Sequence, residues 1–91
     1  MNYYILFYET ADGYEERRQP YRDTHLNMLR KAQEEGTLLM AGAYDPIDGA
    51  ALVFRCKHQD TVEEFAREDP YVKNGLVKRW WVRKWTVVVG E

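Results

Sequence analysis

The sequence lacks the features that mark membrane, secreted and disulfide-bonded proteins. No apolar run approaches the roughly 20 residues that cross a bilayer, and the N-terminus has no charged segment followed by a long apolar stretch. A single cysteine excludes an internal disulfide framework and a zinc cluster, and it favours a reducing compartment. We therefore expect a cytoplasmic protein with no membrane partner and no metal.

The chain also lacks a large net charge of either sign. The chain has 13 Lys and Arg against 15 Asp and Glu, a net charge of −2, which gives no global attraction to nucleic acid. It has no glycine-rich phosphate loop, no dinucleotide fingerprint and no Ser/His/Asp arrangement at an informative spacing. We expect a protein that uses no cofactor and binds no nucleic acid.

Hydrophobic and aromatic residues are abundant. They include three Trp, seven Tyr and three Phe, and hydrophobic residues make up 45% of the 91 positions. This composition excludes disordered and low-complexity classes, and the absence of a linker or repeat predicts one domain over residues 1–91. A chain this short builds a thin core, so a second subunit would add stability.

The pattern of apolar runs and turn residues predicts an α+β fold. Asp60 followed by Glu63 is typical of a capping box that opens a second helix, and Pro70 ends that helix. The order is that of a ferredoxin-like βαββαβ domain, an antiparallel four-stranded sheet with two helices on one face. The uncovered face is apolar, so we expect two copies to pair sheet against sheet as a homodimer. The predicted elements are a strand over 3–8, a helix over 21–35, a hairpin of strands at 38–42 and 51–54, a helix through Val62, Phe65 and Ala66, and a strand over 77–89.

Two polar residues lie on the apolar face of the first helix. At about 100° per residue, His25 projects near the middle of the apolar arc and Arg22 lies within it one turn earlier. Either His25 is a hydrogen-bonded core histidine and Arg22 extends outward to solvent, or both line a pocket between helix and sheet. In a pocket, His25 could act as an acid or base and Arg22 could hold an anionic group.

A buried imidazole needs a hydrogen-bond partner, and Asp69 is the best candidate. It ends the second helix, which lies beside the first in this fold. Asp69 could instead only cap the short turn 70–74, which begins with Pro70 and is closed by Gly75. A carboxylate has two oxygens, so both roles can coexist, and a paired Asp69 would fix the tautomer of His25.

Together these motifs resemble the YciI-like (YCII-related) family. The matching pattern is an Arg22-x-x-His25 helix, the run from Gly36 to Gly42, and the late Asp69-Pro70-Tyr71. The resemblance implies a dimeric α/β barrel of ferredoxin-like subunits with His25 and Asp69 as a catalytic pair. It also implies that Arg22 is a pocket residue, and we expect Arg22 and Tyr71 to bind substrate. One family member is a dehydrochlorinase acting on a chlorinated hydroxyquinol, which implies an aromatic or enol-like substrate.

The tryptophans of the last predicted strand allow another interpretation. Trp80, Trp81 and Trp85 alternate with Arg83 and Lys84, as in some single-stranded nucleic-acid readers. The acidic balance and the absence of the aromatic motif of RNA readers favour an interface strand instead. Cys56 and His58 are too few for a metal site, and burial of Cys56 is expected.

The sequence therefore predicts a small homodimeric enzyme that moves protons on a small anionic or enolisable molecule. His25 would be the general acid and base, Asp69 its orienting partner and Arg22 an electrostatic anchor. The alternative is a non-catalytic binding or assembly module of the same fold, whose pocket holds a ligand or nothing.

Overall fold

The computed structural model describes residues 1–90. Its strands form one antiparallel sheet in the order β2-β3-β1-β4, which confirms the ferredoxin-like α+β prediction. No helix in the described part of the chain is long and apolar enough to span a bilayer. The elements are β1 (Asn2–Thr10), α1 (Tyr14–Arg17), a 3-10 turn (Gln19–Tyr21), α2 (Arg22–Glu34), β2 (Leu38–Ala43), β3 (Gly49–Cys56), α3 (Gln59–Glu68), α4 (Pro70–Lys73) and β4 (Val77–Trp85).

The sheet has one face covered by helices. Successive side chains of a strand point to opposite faces, so Tyr4, Leu6 and Tyr8 of β1 share the covered face, and all three are buried. Leu6 lies between Leu52 of β3 and Val82 of β4 at the centre of the sheet. Burying a side chain of this size contributes about 1.5–3 kcal/mol, so the centre of β1 anchors the core.

Helix α3 seals the core because its apolar residues follow the helical period. Val62 and Ala66 are fully buried, and the Phe65 ring packs edge-on against Phe54 of β3 at a centroid distance of 5.1 Å. The predicted capping box is wrong. The helix begins at Gln59, so Asp60 lies inside its first turn, and the side-chain amide of Gln59 bonds the Glu63 carboxylate instead.

Glycines follow the ends of two helices, and the one at Gly75 was predicted. Gly36 follows the end of α2 with φ +82°, and Gly75 follows α4 with φ +76°, a left-handed conformation that residues with a Cβ rarely adopt. The hairpin between β2 and β3 is also confirmed. Its loop is closed by the Tyr44 amide, which donates to the Gly49 carbonyl at 2.9 Å.

The last strand is shorter than the sequence predicted. It ends at Trp85, whereas the apolar residues continue to Val89. Trp85 pairs with Tyr3, and β1 begins one residue earlier at Asn2, so the sheet offers no partner strand beyond this point. Val88 and Val89 are accordingly almost fully exposed.

Within residues 1–90, the other face of the sheet carries no helix. Ile5 and Phe7 of β1 lie on it, flanked by Val53 of β3 and Trp81 of β4, and all four are half-buried. Trp81 stacks on Phe7 at a centroid distance of 5.4 Å, and the Arg79 guanidinium lies 4.4 Å from the Trp81 ring centroid. We call this surface the open face.

Candidate active site

The site is built around the carboxylate of Asp69, which lies between α3 and α4. Pro70 disfavours helical dihedrals in the residue before it, and Asp69 is extended at φ −65° and ψ 123°. Its side chain caps α4 by accepting the Tyr71 backbone N–H at 2.9 Å on Oδ1. Asp69 is the one fully buried charged residue in the described chain, so its oxygens depend on protein donors.

His25 of α2 supplies the second donor. Its Nδ1 lies 2.9 Å from Asp69 Oδ1, and its side chain is 12% exposed. The imidazole also stacks on the Tyr71 ring at a centroid distance of 3.8 Å and an angle of 12°. Because a carboxylate accepts from Nδ1–H, Nε2 is the ring nitrogen left for a ligand, and it has no hydrogen-bond partner in residues 1–90.

Tyr8 of β1 supplies the third donor. Its hydroxyl donates to Asp69 Oδ2 at 2.7 Å, and the side chain is buried under the helices. Burial raises the pKa of Tyr8 far above its ordinary value, and the negative charge of Asp69 and the hydrogen bond to it raise it further. The phenol therefore stays protonated and holds the carboxylate that orients His25.

A cavity of about 200 Å³ lies between α2 and the sheet beside this pair. Tyr8 and His25, which both bond Asp69, form part of its wall, and small residues of β2 form another part. Asp69 does not line the cavity, because the rings around it stand in front of it. The lining residues are Tyr8, Tyr14, Arg18, Arg22, His25, Leu26, Leu29, Ala41, Gly42, Ala43, Ala50, Leu52 and Tyr71.

Two arginines and two tyrosines occupy one part of the cavity wall. The Arg18 guanidinium lies 5.4 Å from the Tyr14 ring centroid, and Tyr14 meets Tyr71 edge-on at 5.6 Å. Burial, and then the neighbouring Tyr14, raise the pKa of the Tyr71 hydroxyl, while the charges of Arg22 and Arg18 act in the opposite direction. The phenol thus stays protonated and faces positive charge.

The structure brings together the residues that the sequence analysis selected. His25, Arg22 and Tyr71 line one cavity, and Asp69 bonds His25 from behind. The two interpretations of His25 therefore both hold in part. Its ring is hydrogen-bonded, and it also lies on the wall of a cavity.

Three residues of the site were not selected from the sequence. Tyr8 shares the strand parity of Tyr4 and Leu6, which places its phenol under the helices, but parity alone does not distinguish it from Tyr4 on the same face. Tyr14 and Arg18 precede α2, in a segment for which the sequence analysis predicted no separate helix. Gly13, with φ +74°, begins the separate helix α1, and this break turns Tyr14 and Arg18 toward the cavity.

Other candidate sites are separate from this cavity. Cys56 is buried, and its thiol donates to the His58 carbonyl at 3.3 Å. Burial raises the pKa of that thiol. In residues 1–90 no three His, Cys, Asp or Glu side chains come together as metal ligands. Trp80 packs against the core, with the Arg67 guanidinium 5.9 Å from its ring centroid.

Comparisons with known proteins agree with this architecture. The family model described as "YCII-related domain" matches residues 1–86. An uncharacterized protein of Haemophilus influenzae is 29% identical over 84 aligned residues, covering 81% of this chain and 86% of the relative.

A solved structure shares the fold. It is the 5-chloro-2-hydroxyhydroquinone dehydrochlorinase of Burkholderia phenoliruptrix in complex with 2,5-dihydroxybenzoquinone. It superposes with a TM-score of 0.79 at 20% identity, covering 92% of this chain and 93% of that one. At this identity the likeness concerns the fold.

Proposed function

The chain belongs to the YCII-related domain family, and on that premise we propose that it is an enzyme of proton transfer. Its substrate is a small anionic or enolisable molecule that enters the cavity beside His25. His25 is the general acid and base, Asp69 and Tyr71 hold its ring, and Arg22 stabilises negative charge. The reaction is an elimination or an isomerisation.

The observation that carries the proposal is the 2.9 Å contact between His25 Nδ1 and Asp69 Oδ1 at the wall of an open cavity. Fixing the proton on Nδ1 leaves the Nε2 lone pair for a substrate C–H. Stacking on Tyr71 then limits rotation of the ring. A histidine whose role was only to fill the core would not need a cavity in front of it.

The chemistry follows from one proton-transfer step. Nε2 takes a proton from a carbon next to a carbonyl, and the electron pair moves to the carbonyl oxygen as an enolate. Arg22 lines the same cavity and favours this negative oxygen. Return of the proton to another carbon completes an isomerisation, and departure of an anionic leaving group completes an elimination.

The name of the structural relative supports this class of reaction. A dehydrochlorinase removes a proton and a chloride, and that protein was solved with a planar hydroxylated quinone. The cavity here has aromatic walls, which suit a planar molecule. The same step needs no cofactor, and we propose none.

The proposed enzyme works as a cytoplasmic homodimer paired through the open face. This face presents Ile5, Phe7, Val53 and Trp81, whose half-buried apolar side chains would be covered by a second copy. The cavity lies on the opposite, helix-covered side of the sheet, so pairing leaves it accessible.

A solvent-exchange assay tests the proposal before the natural substrate is known. The ring hydrogens of 2,5-dihydroxybenzoquinone in D2O are followed by proton NMR with catalytic amounts of protein. We expect His25→Ala to lower the protein-catalysed exchange rate by about 10²-fold or more, since general acid–base catalysis contributes about 10²–10⁴-fold. His58→Ala, the same change at the exposed second histidine, should leave the rate unchanged.

Either of two results would contradict the proposal that the protein is an enzyme. Wild-type protein that exchanges the probe no faster than buffer would favour the non-catalytic binding module. Equal rates in His25→Ala and His58→Ala, with both variants folded by amide NMR, would show that exchange does not depend on His25.

A further inference from the structure

We propose that Arg18, Arg22 and the Tyr71 hydroxyl form a subsite for a carboxylate on the substrate. The inference rests on the proposed function and narrows its substrate to a small, planar carboxylic acid. These three groups line one cavity with His25, so a substrate held by its carboxylate presents a neighbouring carbon to the imidazole.

The first observation is an unused hydroxyl. Tyr71 is 1% exposed, and its OH completes no hydrogen bond within the described residues. Arg22 is near enough for its charge and its N–H groups to lower the pKa of this hydroxyl, but the two groups do not meet the geometry of a hydrogen bond. A buried hydroxyl without a partner is unfavourable and needs an explanation. A ligand oxygen in the cavity would accept this O–H.

The second observation is an unused guanidinium nitrogen. Arg18 Nε is buried and has no hydrogen-bond partner in residues 1–90, and no carboxylate forms an ion pair with Arg18. Its guanidinium is held near the Tyr14 ring. A planar guanidinium donates two parallel N–H bonds to a carboxylate, so a fixed arginine with a free Nε is suited to bidentate recognition.

The charge of the cavity points the same way. Among the described residues its lining includes Arg18 and Arg22 and no Asp or Glu, although the whole chain is net acidic. The buried carboxylate of Asp69, which bonds His25, is itself satisfied by three donors. The two cations therefore have no anion of residues 1–90 within the cavity, and an anionic ligand would neutralise them.

Size and shape favour a carboxylate on a single ring or a short chain. The volume of about 200 Å³ lies below the roughly 300–1,000 Å³ of pockets for drug-sized ligands. The stacked Tyr71 and His25 rings give a flat wall, and Leu26, Leu29 and Leu52 provide apolar contact. A flat apolar body with one anionic end matches these surfaces.

Binding of benzoate, measured by NMR titration, tests the subsite without a known substrate. We expect saturable binding to the wild type, at least tenfold weaker binding to Arg18→Gln, and a smaller loss for Tyr71→Phe. Arg30→Gln is the matched control, because it removes the same charge from an exposed position on α2 and should change affinity less than twofold. Benzamide, which has the same ring without the charge, should bind weakly and equally to wild type and Arg18→Gln.

A second set of ligands and variants separates the possible failures. Phenyl phosphate binding more tightly than benzoate would replace the carboxylate with a phosphate and overturn the assignment. So would the absence of saturable benzoate binding, or equal benzoate affinity in Arg18→Gln and Arg30→Gln. Arg18→Lys keeps the charge but loses the planar guanidinium that donates two parallel N–H bonds. This variant should bind benzoate with intermediate affinity.

The subsite and the proposed function fail in different experiments. His25→Ala should still bind benzoate, since it leaves the two arginines in place. Normal benzoate binding together with no proton exchange would contradict the proposed enzymatic function and leave the carboxylate subsite supported. Exchange that depends on His25, with benzoate binding indifferent to Arg18, would reject the subsite alone.

Discussion

At the residue scale, the site depends on how one buried carboxylate is satisfied. Asp69 accepts hydrogen bonds from Tyr8, His25 and its near neighbour Tyr71. Two of these donors come from distant parts of the chain, so the carboxylate joins β1, α2 and α4. Since an unpaired buried carboxylate is strongly unfavourable, these contacts tie the stability of the fold to the geometry of the site.

The buried tyrosines predict a loss of stability in alkaline solution. The pKa of Tyr8 and of Tyr71 is raised in the folded protein, mainly by burial. Above pH 10 the unfolded chain loses these protons while the folded chain keeps them, so the stability present below pH 10 falls as pH rises. For each tyrosine, the free energy of unfolding falls by at most about 1.4 kcal/mol per pH unit.

Urea unfolding between pH 8 and 11 measures this effect. Tyr8→Phe should be less stable than the wild type at pH 8, because it removes a donor to Asp69, and should show a shallower decline above pH 10. Tyr44→Phe changes an exposed tyrosine and should keep the wild-type slope. A wild-type slope retained in Tyr8→Phe would mean that Tyr8 does not contribute to the alkaline decline.

At the element scale, local patterns predicted most of the fold and about half of the site. The period of α2 placed His25 and Arg22 on one inward face, and the Asp69–Pro70 step placed a carboxylate at the end of α3. These signals are local. Tyr8 could not be distinguished because its role depends on contact with a residue 61 positions away.

The ends of elements were predicted less well, for the same reason. The last strand stops at Trp85 because of the register and length of β1, not because its own residues change. The turn toward α2 depends on Gly13, whose positive φ separates α1 from β1. Pairing register and helix breaks are set by distant or conformational constraints that composition does not reveal.

The space around two sheet glycines predicts effects of very different size when each is replaced by alanine. A Cβ on Gly49 would lie 2.6 Å from the Tyr8 carbonyl oxygen and 2.7 Å from Cε2 of Tyr44, so the paired strands would have to separate. Gly49→Ala should lower the free energy of unfolding by about 1–3 kcal/mol. Gly42→Ala, whose Cβ would meet nothing within 4 Å, should change it by less than about 0.5 kcal/mol.

Urea midpoints of the two variants provide the measurement. Because Tyr8 also holds Asp69, Gly49→Ala should in addition shift the amide NMR signals of the His25 region. Equal midpoints for the two variants would contradict the close approach of Gly49 to β1.

At the scale of the whole molecule, the sheet separates two surfaces. The helix-covered side contains the cavity, and the open face presents the Phe7–Trp81 stack and its apolar neighbours. In the proposed homodimer the open face is buried while the cavity remains accessible. A thin core of this size would also gain apolar burial from the second copy.

A charge placed on the open face tests the homodimer. Val53 pairs with Ile5 and Met40 there, so Val53→Glu would bury an unpaired carboxylate and should convert a dimer into monomers. Thr61→Glu adds the same charge at an exposed position on α3 and should leave the molecular mass of the assembly at that of the dimer. Analytical ultracentrifugation measures both. A monomeric wild type, or a dimeric Val53→Glu, would contradict pairing through this face.

The most direct test of the central claim is a double-mutant cycle on the proton-exchange rate, because His25 and Asp69 are proposed to act as one unit. We expect His25→Ala and Asp69→Asn each to lower the rate by about 10²-fold or more, and the double variant to be about as slow as His25→Ala alone. Losses that multiply in the double variant, or an Asp69→Asn protein that exchanges the probe at the wild-type rate, would contradict the account.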